Sequence, residues 1–551
     1  MKKKLVIFSM GMLSWVTTYA QQDSALVRTV VVENQYNPTV MDASKINVLP
    51  KVEEPVVPKA RIEYANAVRP VSMWDYQAMQ PIVKEWKADD VYRGYMRAGY
   101  GNNGNVEARL GYLWDISKKD RLNATVSFGG WNGDLAGINN QDWESRLYHT
   151  RIGMDYRHAS QKVDFLLGGS FRSQVFNYME TVSAPEDEIY TAETVPFAGR
   201  QRQTFAHAYM GFTSVDKGLP IQFKAELGAK LFQEHHPVMA LEGKNKETNL
   251  YLKGDVWKQN SDESRYGAIV GLDSYSDTDD WLALNFNPYY MFQKGNWKIR
   301  IGAHVDWVGK NDEKLYLSPD VKAEFLFADR YVLFAKAGGG RETSGLYELA
   351  GMSPYFYGNH FTPTYTTLDA AFGLKASPAN GWWFLVSGGY QIRENDVCWT
   401  LMEKIPFWYA DNLYGKTNVL YGAVELKYDY KDLLDFSLKG AYYHWDWKND
   451  HFKEVPSGLP LSLKPQMEVK TEIGFKPLQG LRVNAGYEYV KHCNDLGGDP
   501  VSNLCIGADY VILKNMNLFA KVNNLLNKEY ISSYVYPAQK LNLMAGISFQ
   551  F

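Results

Sequence analysis

From Val91 to the C-terminus the chain alternates apolar and polar side chains with a period of two, the repeat that puts successive residues on opposite faces of a strand. Val106, Ala108, Leu110, Tyr112 and Trp114 share one face against Glu107, Arg109, Gly111 and Leu113. Leu122, Ala124, Val126 and Phe128 oppose Arg121, Asn123, Thr125 and Ser127, and Ile299, Ile301, Ala303, Val305 and Trp307 oppose Lys298, Arg300, Gly302, His304 and Asp306. The final stretch, Lys540 to Phe551, puts Leu541, Leu543, Ala545, Ile547, Phe549 and Phe551 on one face and then stops. A greasy terminal edge invites aggregation unless the sheet closes on itself. The pattern therefore predicts an all-β protein, a transmembrane antiparallel β-barrel with apolar side chains toward lipid and polar ones toward a wet lumen.

Counting two-faced segments gives roughly 22 strands, an even number as bacterial barrels require. Short links at 116–120, 158–161, 216–219, 259–263, 293–296, 377–380, 477–480 and 512–515 alternate with longer excursions near 131–146, 178–198, 339–362, 395–413, 448–462 and 525–539. Outer-membrane barrels have short periplasmic turns and longer outer loops. The alternation thus places both termini in the periplasm. No stretch is long and apolar enough for a spanning helix beyond the N-terminus. A mean hydropathy of -0.36 suits two-faced strands, and aromatics at 15%, led by 38 Tyr, suit the two interfacial girdles of a membrane barrel. A formal charge of -3 gives no reason to expect nucleic acid as a partner.

The region before the barrel reads differently. Residues 1–20, with three lysines, the apolar run Leu5 to Val16 and Thr17-Thr18-Tyr19-Ala20, are expected to form a secretory signal peptide. Residues 21–90 are broken by Pro38, Pro50, Pro55, Pro58, Pro70 and Pro81 and are expected to be extended or irregular, in the lumen or the periplasm. Within them 26–33 is a β-branched run, suited either to packing inside this protein or to adding a strand to a partner's sheet.

Gly546, Phe549 and Phe551 stand in an order that resembles the C-terminal signal read by the barrel-assembly machinery. Asn524-Leu525-Leu526-Asn527-Lys528-Glu529-Tyr530 and Leu463-Lys464-Pro465, followed by Glu472-x-Gly474, are similar to late motifs of TonB-dependent outer-membrane receptors, with Gln466 where that family has Glu. The resemblance implies a 22-stranded barrel for 91–551 and a transport role. It also implies TonB as a partner, because Thr29, Val30, Val31 and Val32 are similar to the family's TonB box. Such receptors carry a globular plug ahead of the barrel, whereas only the Pro-broken 21–90 precedes it here, so a recognisable plug is expected to be missing.

Other candidates have ordinary readings beside the functional ones. Glu234-His235-His236 could offer metal ligands, but adjacent strand residues point to opposite faces. The acidic loop with Glu186, Asp187, Glu188 and Glu193 could bind a cation, but solvated loop charge is the ordinary reading. Tyr355-Phe356-Tyr357 and Phe407-Trp408-Tyr409 could grip a glycan or a partner, or belong to an interfacial belt. Cys493 and Cys505 flank a loop and could form a disulfide. No hydrolase elbow, phosphate loop or zinc spacing occurs, so neither an enzyme nor a cofactor is expected. Two readings remain: an outer-membrane channel that moves a solute or polypeptide with a partner protein, and a non-transporting scaffold that anchors a periplasmic or surface-lipoprotein complex.

Overall fold

The computed structural model describes residues 92–551 except 137–141, 180–198, 236–244, 278–279, 311, 343–344, 356–361, 403–408, 449–460, 462–463, 495–498 and 534–535. The signal-peptide, 21–90 and Thr29–Val32 expectations lie outside the described residues.

The alternating segments are strands: β1 (Gly94–Gly101), β2 (Val106–Asp115), β3 (Asp120–Ala136), β4 (Asp142–His158), β5 (Val163–Phe176), β6 (Gln201–Ser214), β7 (Gln222–Glu234) and β8 (Lys246–Ser261). There follow β9 (Ser264–Asp277), β10 (Trp281–Lys294), β11 (Trp297–Lys310), β12 (Asp312–Phe327), β13 (Tyr331–Arg341), the helix α1 (Leu346–Met352), β14 (Tyr365–Ala376), β15 (Trp382–Met402) and β16 (Tyr409–Tyr430). The chain ends with β17 (Leu434–Lys448), β18 (Pro465–Leu478), β19 (Leu481–His492), β20 (Val501–Leu513), β21 (Met516–Asn523), the hairpin β22 (Ile531–Ser533) and β23 (Tyr536–Pro537), and β24 (Asn542–Gln550). All but β22 and β23 form one 22-stranded antiparallel sheet. It closes because β24 pairs with both β21 and β1, which leaves no free edge.

Outward faces are apolar and bare. Leu317 is 65% exposed and Phe372 72%, a surface that only lipid would cover. Inward faces carry ion pairs such as Arg300–Asp320 at 2.7 Å and Arg482–Asp435 at 2.8 Å. At the end where β1 begins, links are short throughout, as at 262–263, 295–296 and 514–515. Gly295 takes a φ of 54° in one of them, a left-handed turn conformation open to glycine without steric cost. We call this the turn end and the opposite one the loop end.

The structure corrects two of the expected loops. Pairing continues from Leu135↔Trp143 to Ala136↔Asp142, and from Leu401↔Ala410 to Met402↔Tyr409. Most of 131–146 and 395–413 is therefore strand that overruns the lipid band, where no apolar outer face is required and the alternation fades. The loop end also carries short links, at 102–105, 278–280 and 311.

The seam gives the terminal residues a packing reason. The chain-end Phe551 carbonyl accepts from the Arg93 and Gly94 N–H groups at 2.9 and 2.7 Å, and Phe549 stands opposite Met96 and Met516. Gly546 faces Gly99, and the Phe519 ring lies over both: a Cβ on either would come within 2.6 Å of its Cζ, and one on Gly546 within 2.0 Å of the Ala98 carbonyl oxygen. Gly546→Ala is expected to destabilise the barrel by about 1–3 kcal/mol through overpacking, measured as a lowered urea midpoint. An unchanged midpoint would show that the seam relaxes freely.

The same register separates the two loop cysteines. Cys505 stands opposite Gly486, while Cys493 lies past the end of β19. At about 3.3 Å per residue, a seven-residue offset is far too long for a disulfide, and none joins them.

Candidate functional site: a loop lid over a lumen chamber

Three loop-end connections turn inward and meet. The last, 524–541, is tied by asparagines. Asn524 and Asn527 hold φ values of 49° and 52°, which asparagine tolerates because its short polar side chain bonds locally. The Asn524 amide donates to the carbonyls of Lys528 (2.8 Å) and Gln539 (3.0 Å), and its Oδ1 accepts from the Lys528 N–H (3.0 Å). Asn527 Oδ1 accepts from the Leu541 N–H at 3.0 Å. This knot bases the β22–β23 hairpin, which carries Tyr536.

The second connection, between β13 and β14, carries α1. A seven-residue helix cannot hold itself together in water, and the barrel wall supports it. Its N-cap, Gly345, offers no side-chain cap. Instead Glu247 of β8 accepts from the N–H groups of Leu346 (2.7 Å) and Tyr347 (3.1 Å), placing a carboxylate on the orphan donors of the helix start. A Cβ at position 345 would stand 2.3 Å from Glu247 Oε1, so the approach requires glycine. Lys230 of β7 pairs with Glu348 at 2.6 Å, and Gln174 and Gln203 donate to the carbonyls of Ala350 and Pro354 at 3.4 and 3.3 Å.

Beyond α1 the chain delivers Tyr355. Its ring stacks on Tyr536 with centroids 3.5 Å apart and planes 7° from parallel. Trp143 of β4 meets Tyr536 edge-on at 5.3 Å, and Phe176 of β5 meets Tyr355 at 5.5 Å. The third connection, after β5, adds Tyr178, whose carbonyl accepts from Trp143 Nε1 at 3.2 Å, and Met179, whose N–H donates to the Tyr536 hydroxyl at 3.3 Å. Burial pushes the Tyr355 and Tyr536 phenols well above their ordinary value, so the stack stays uncharged across the pH range of a cell envelope.

Under this lid lies a cavity of about 670 Å³. Its roof is Gly351, Met352, Pro354 and Tyr355 together with Tyr530, Ser532 and Pro537–Gln539. Its walls are inward faces of β2–β5, of β19–β21 and of β24, including Glu107, Arg109, His149, Arg151, Arg172, Glu488, Asn503 and Lys521.

A buried ion-pair knot fastens the loop end on the other side. Asp396 Oδ1 pairs with Arg393 at 3.0 Å, and its Oδ2 accepts from Lys464 (2.9 Å) and Thr417 (2.8 Å). Arg393 also pairs with Glu342. Residues three apart on a regular strand face opposite ways. Here the register slips between Arg393 and Asp396, with Asn395 at a φ of 51°, and this bulge turns both side chains inward.

The resemblance motifs therefore have local work: Asn524 and Asn527 tie the lid's hairpin, and Lys464 anchors the 449–464 connection to β15. Tyr355 turns inward onto Tyr536 and not outward to a glycan or partner. Glu234 is buried and accepts from Gln203 (3.2 Å) and Asn245 (3.0 Å), while the His235 ring meets Thr204 at 3.3 Å. His236, Phe356, Tyr357, Phe407, Trp408 and 186–193 lie outside the described residues. Among the described residues no group of three His, Cys, Asp or Glu is placed to hold a metal.

No family model matches the sequence, and no curated protein is similar to it at the sequence level. Solved structures are similar in fold. The FrpB iron transporter of Neisseria meningitidis superposes with a TM-score of 0.64 at 9% identity, covering 84% of this chain and 82% of that one. The copper transporter OprC gives 0.60 at 12% identity, covering 84% and 80%, and the ferric-catecholate import receptor Fiu of E. coli K12 gives 0.59 at 10%, covering 84% and 82%. The chain is thus an outer-membrane-type β-barrel with the 22-strand architecture of TonB-dependent receptors. The resemblance read from its late motifs holds at the level of fold.

Proposed function

We propose that this barrel is an outer-membrane transporter that admits a solute from its loop end into the lumen chamber, with the loop end facing outward and the turn end facing the periplasm. The observation that carries the reading is the lid: three connections far apart in sequence converge on the Tyr355–Tyr536 stack and roof a cavity. A barrel serving only as an anchor gains nothing from a roofed chamber with charged walls. The iron and copper transporters of the same fold support the class of activity. In this reading the run 26–33 engages a periplasmic partner of the TonB type by strand addition, and 21–90 stoppers the lumen.

The test is planar-bilayer conductance of the chain from Gln21 onward, compared with a chain also lacking residues 21–90. A large, steady current only after the truncation is the expected result. Closure of both would remove the transport reading in favour of a scaffold for an envelope complex. Current from both would assign the stopper to another protein.

A further inference from the structure

The pairing registers align a row of arginines across the first five strands. Arg97 faces Arg109, Arg109 faces Ser127, Ser127 faces Arg151, and Arg151 faces Arg172. All lie on the inward face, since their neighbours Met96, Leu110, Val126, Ile152 and Phe171 are the exposed, lipid-side residues. With strands about 4.8 Å apart, the row runs roughly 19 Å around the wall.

Like charges directly opposite one another destabilise a sheet. Elsewhere on the described inner wall guanidinium groups face carboxylates, as Arg300 faces Asp320, Arg341 faces Asp273, Arg393 faces Asp396 and Arg482 faces Asp435. Here, among the described residues, the acids are shared. Glu107 is shared by Arg97 (3.5 Å), Arg109 (3.2 Å) and Lys521, and Asp509 takes Arg97 at 3.3 Å. Among the described residues Arg151 has no carboxylate partner, and Arg172 lies with its guanidinium 3.6 Å over the Phe205 ring. Among the described residues the chamber lining holds four cationic side chains, Arg109, Arg151, Arg172 and Lys521, against two acidic ones, Glu107 and Glu488.

A self-repelling row facing a cavity is what an anionic ligand would resolve. Guanidinium forks bind carboxylate and phosphate oxygens in a bidentate manner, and several in a row favour a solute with more than one such group. We infer that the row Arg109, Arg151 and Arg172, with Lys521, is a binding site for a compact polyanion bearing carboxylate or phosphate groups. Its role as the transported solute rests on the transport reading above; the binding itself does not.

The probes are pyrophosphate and citrate, titrated by calorimetry into the full chain in detergent. Saturable binding of one of them is expected, weakening as NaCl rises, and the better probe separates phosphate from carboxylate chemistry. Arg151→Gln and Arg172→Gln are each expected to weaken it about tenfold or more, with Arg151→Lys retaining part of the affinity. Arg151→Gln relieves the like-charge contact with Arg172, so its unfolding temperature should not fall, which separates lost binding from lost fold; Arg172→Gln, which also gives up the Phe205 ring, is read beside it. Absence of saturable binding for both probes, or affinities unchanged in both glutamine variants, would overturn the site. If a probe binds but the barrel stays closed both with and without residues 21–90, the anion site is kept and the transport reading is lost; if the form lacking 21–90 conducts and neither probe binds, the reverse holds.

Discussion

Asp396→Ala is expected to loosen the loop end by about 3–5 kcal/mol, because it leaves buried cations without their counter-charge. Lys464 and Arg393 have side chains only 2% and 6% exposed. With Asp396 present, Arg393, Lys464, Asp396 and Glu342 balance. Without it one positive charge is left over, and Glu342 reaches Arg393 but not, among the described contacts, Lys464. The cheapest escape is for Lys464 to swing into water. Amide exchange at Lys464 and Cys493, whose N–H groups donate to the Leu461 and Lys464 carbonyls, should then be far faster than in the parent chain, while the lower barrel keeps its heat resistance on gels. Asp396→Ala combined with Lys464→Met should recover most of the loss, since removing both partners of a buried pair costs much less than removing one. If the double variant is as fragile as the single one, the fastening lies in the Arg393–Glu342 pair and not in Lys464.

The barrel was legible in the sequence because lipid on one side and water on the other impose a period of two, and short turns punctuate it; Ile299–Trp307 and Leu541–Phe551 show this most clearly. The rule weakens where a strand leaves the membrane, which is why the paired strands around Trp143 and Met402 read as loops. The Arg393–Asp396 knot was hidden for a related reason: without the bulge at Asn395 the two side chains would be placed on opposite faces. The arginine row was closer to the surface of the text than it looked. Short hairpin turns fix register, and the turns at 102–105 and 116–119 already set Arg97 against Arg109 and Arg109 against Ser127. The lid was not legible. Tyr355 and Tyr536 are 181 positions apart, and nothing local marks one aromatic as turned inward and another as interfacial.

Tyr536→Ala is expected to release α1, although it lies in a different connection. Tyr536 is 1% exposed and touches Tyr355, Trp143 and the Met179 N–H. Truncating so large a buried aromatic costs about 3–5 kcal/mol, part of it from the ring stack. If the three connections open as one unit, that loss is subtracted from the opening free energy of the lid. Amide exchange at Leu346, Tyr347 and Leu349 should then accelerate by two orders of magnitude or more, at about 1.4 kcal/mol per tenfold. Tyr355→Ala should have a similar effect, and the double variant should add little to either, because residues sharing one contact do not contribute independently. As a control, Tyr100→Ala, on a residue 70% exposed on the outer face, should leave α1 exchange unchanged. Should α1 stay protected in Tyr536→Ala, the wall contacts from Glu247 and Lys230 hold the helix alone. The chamber would then have a fixed roof, and entry of a solute would have to follow another route.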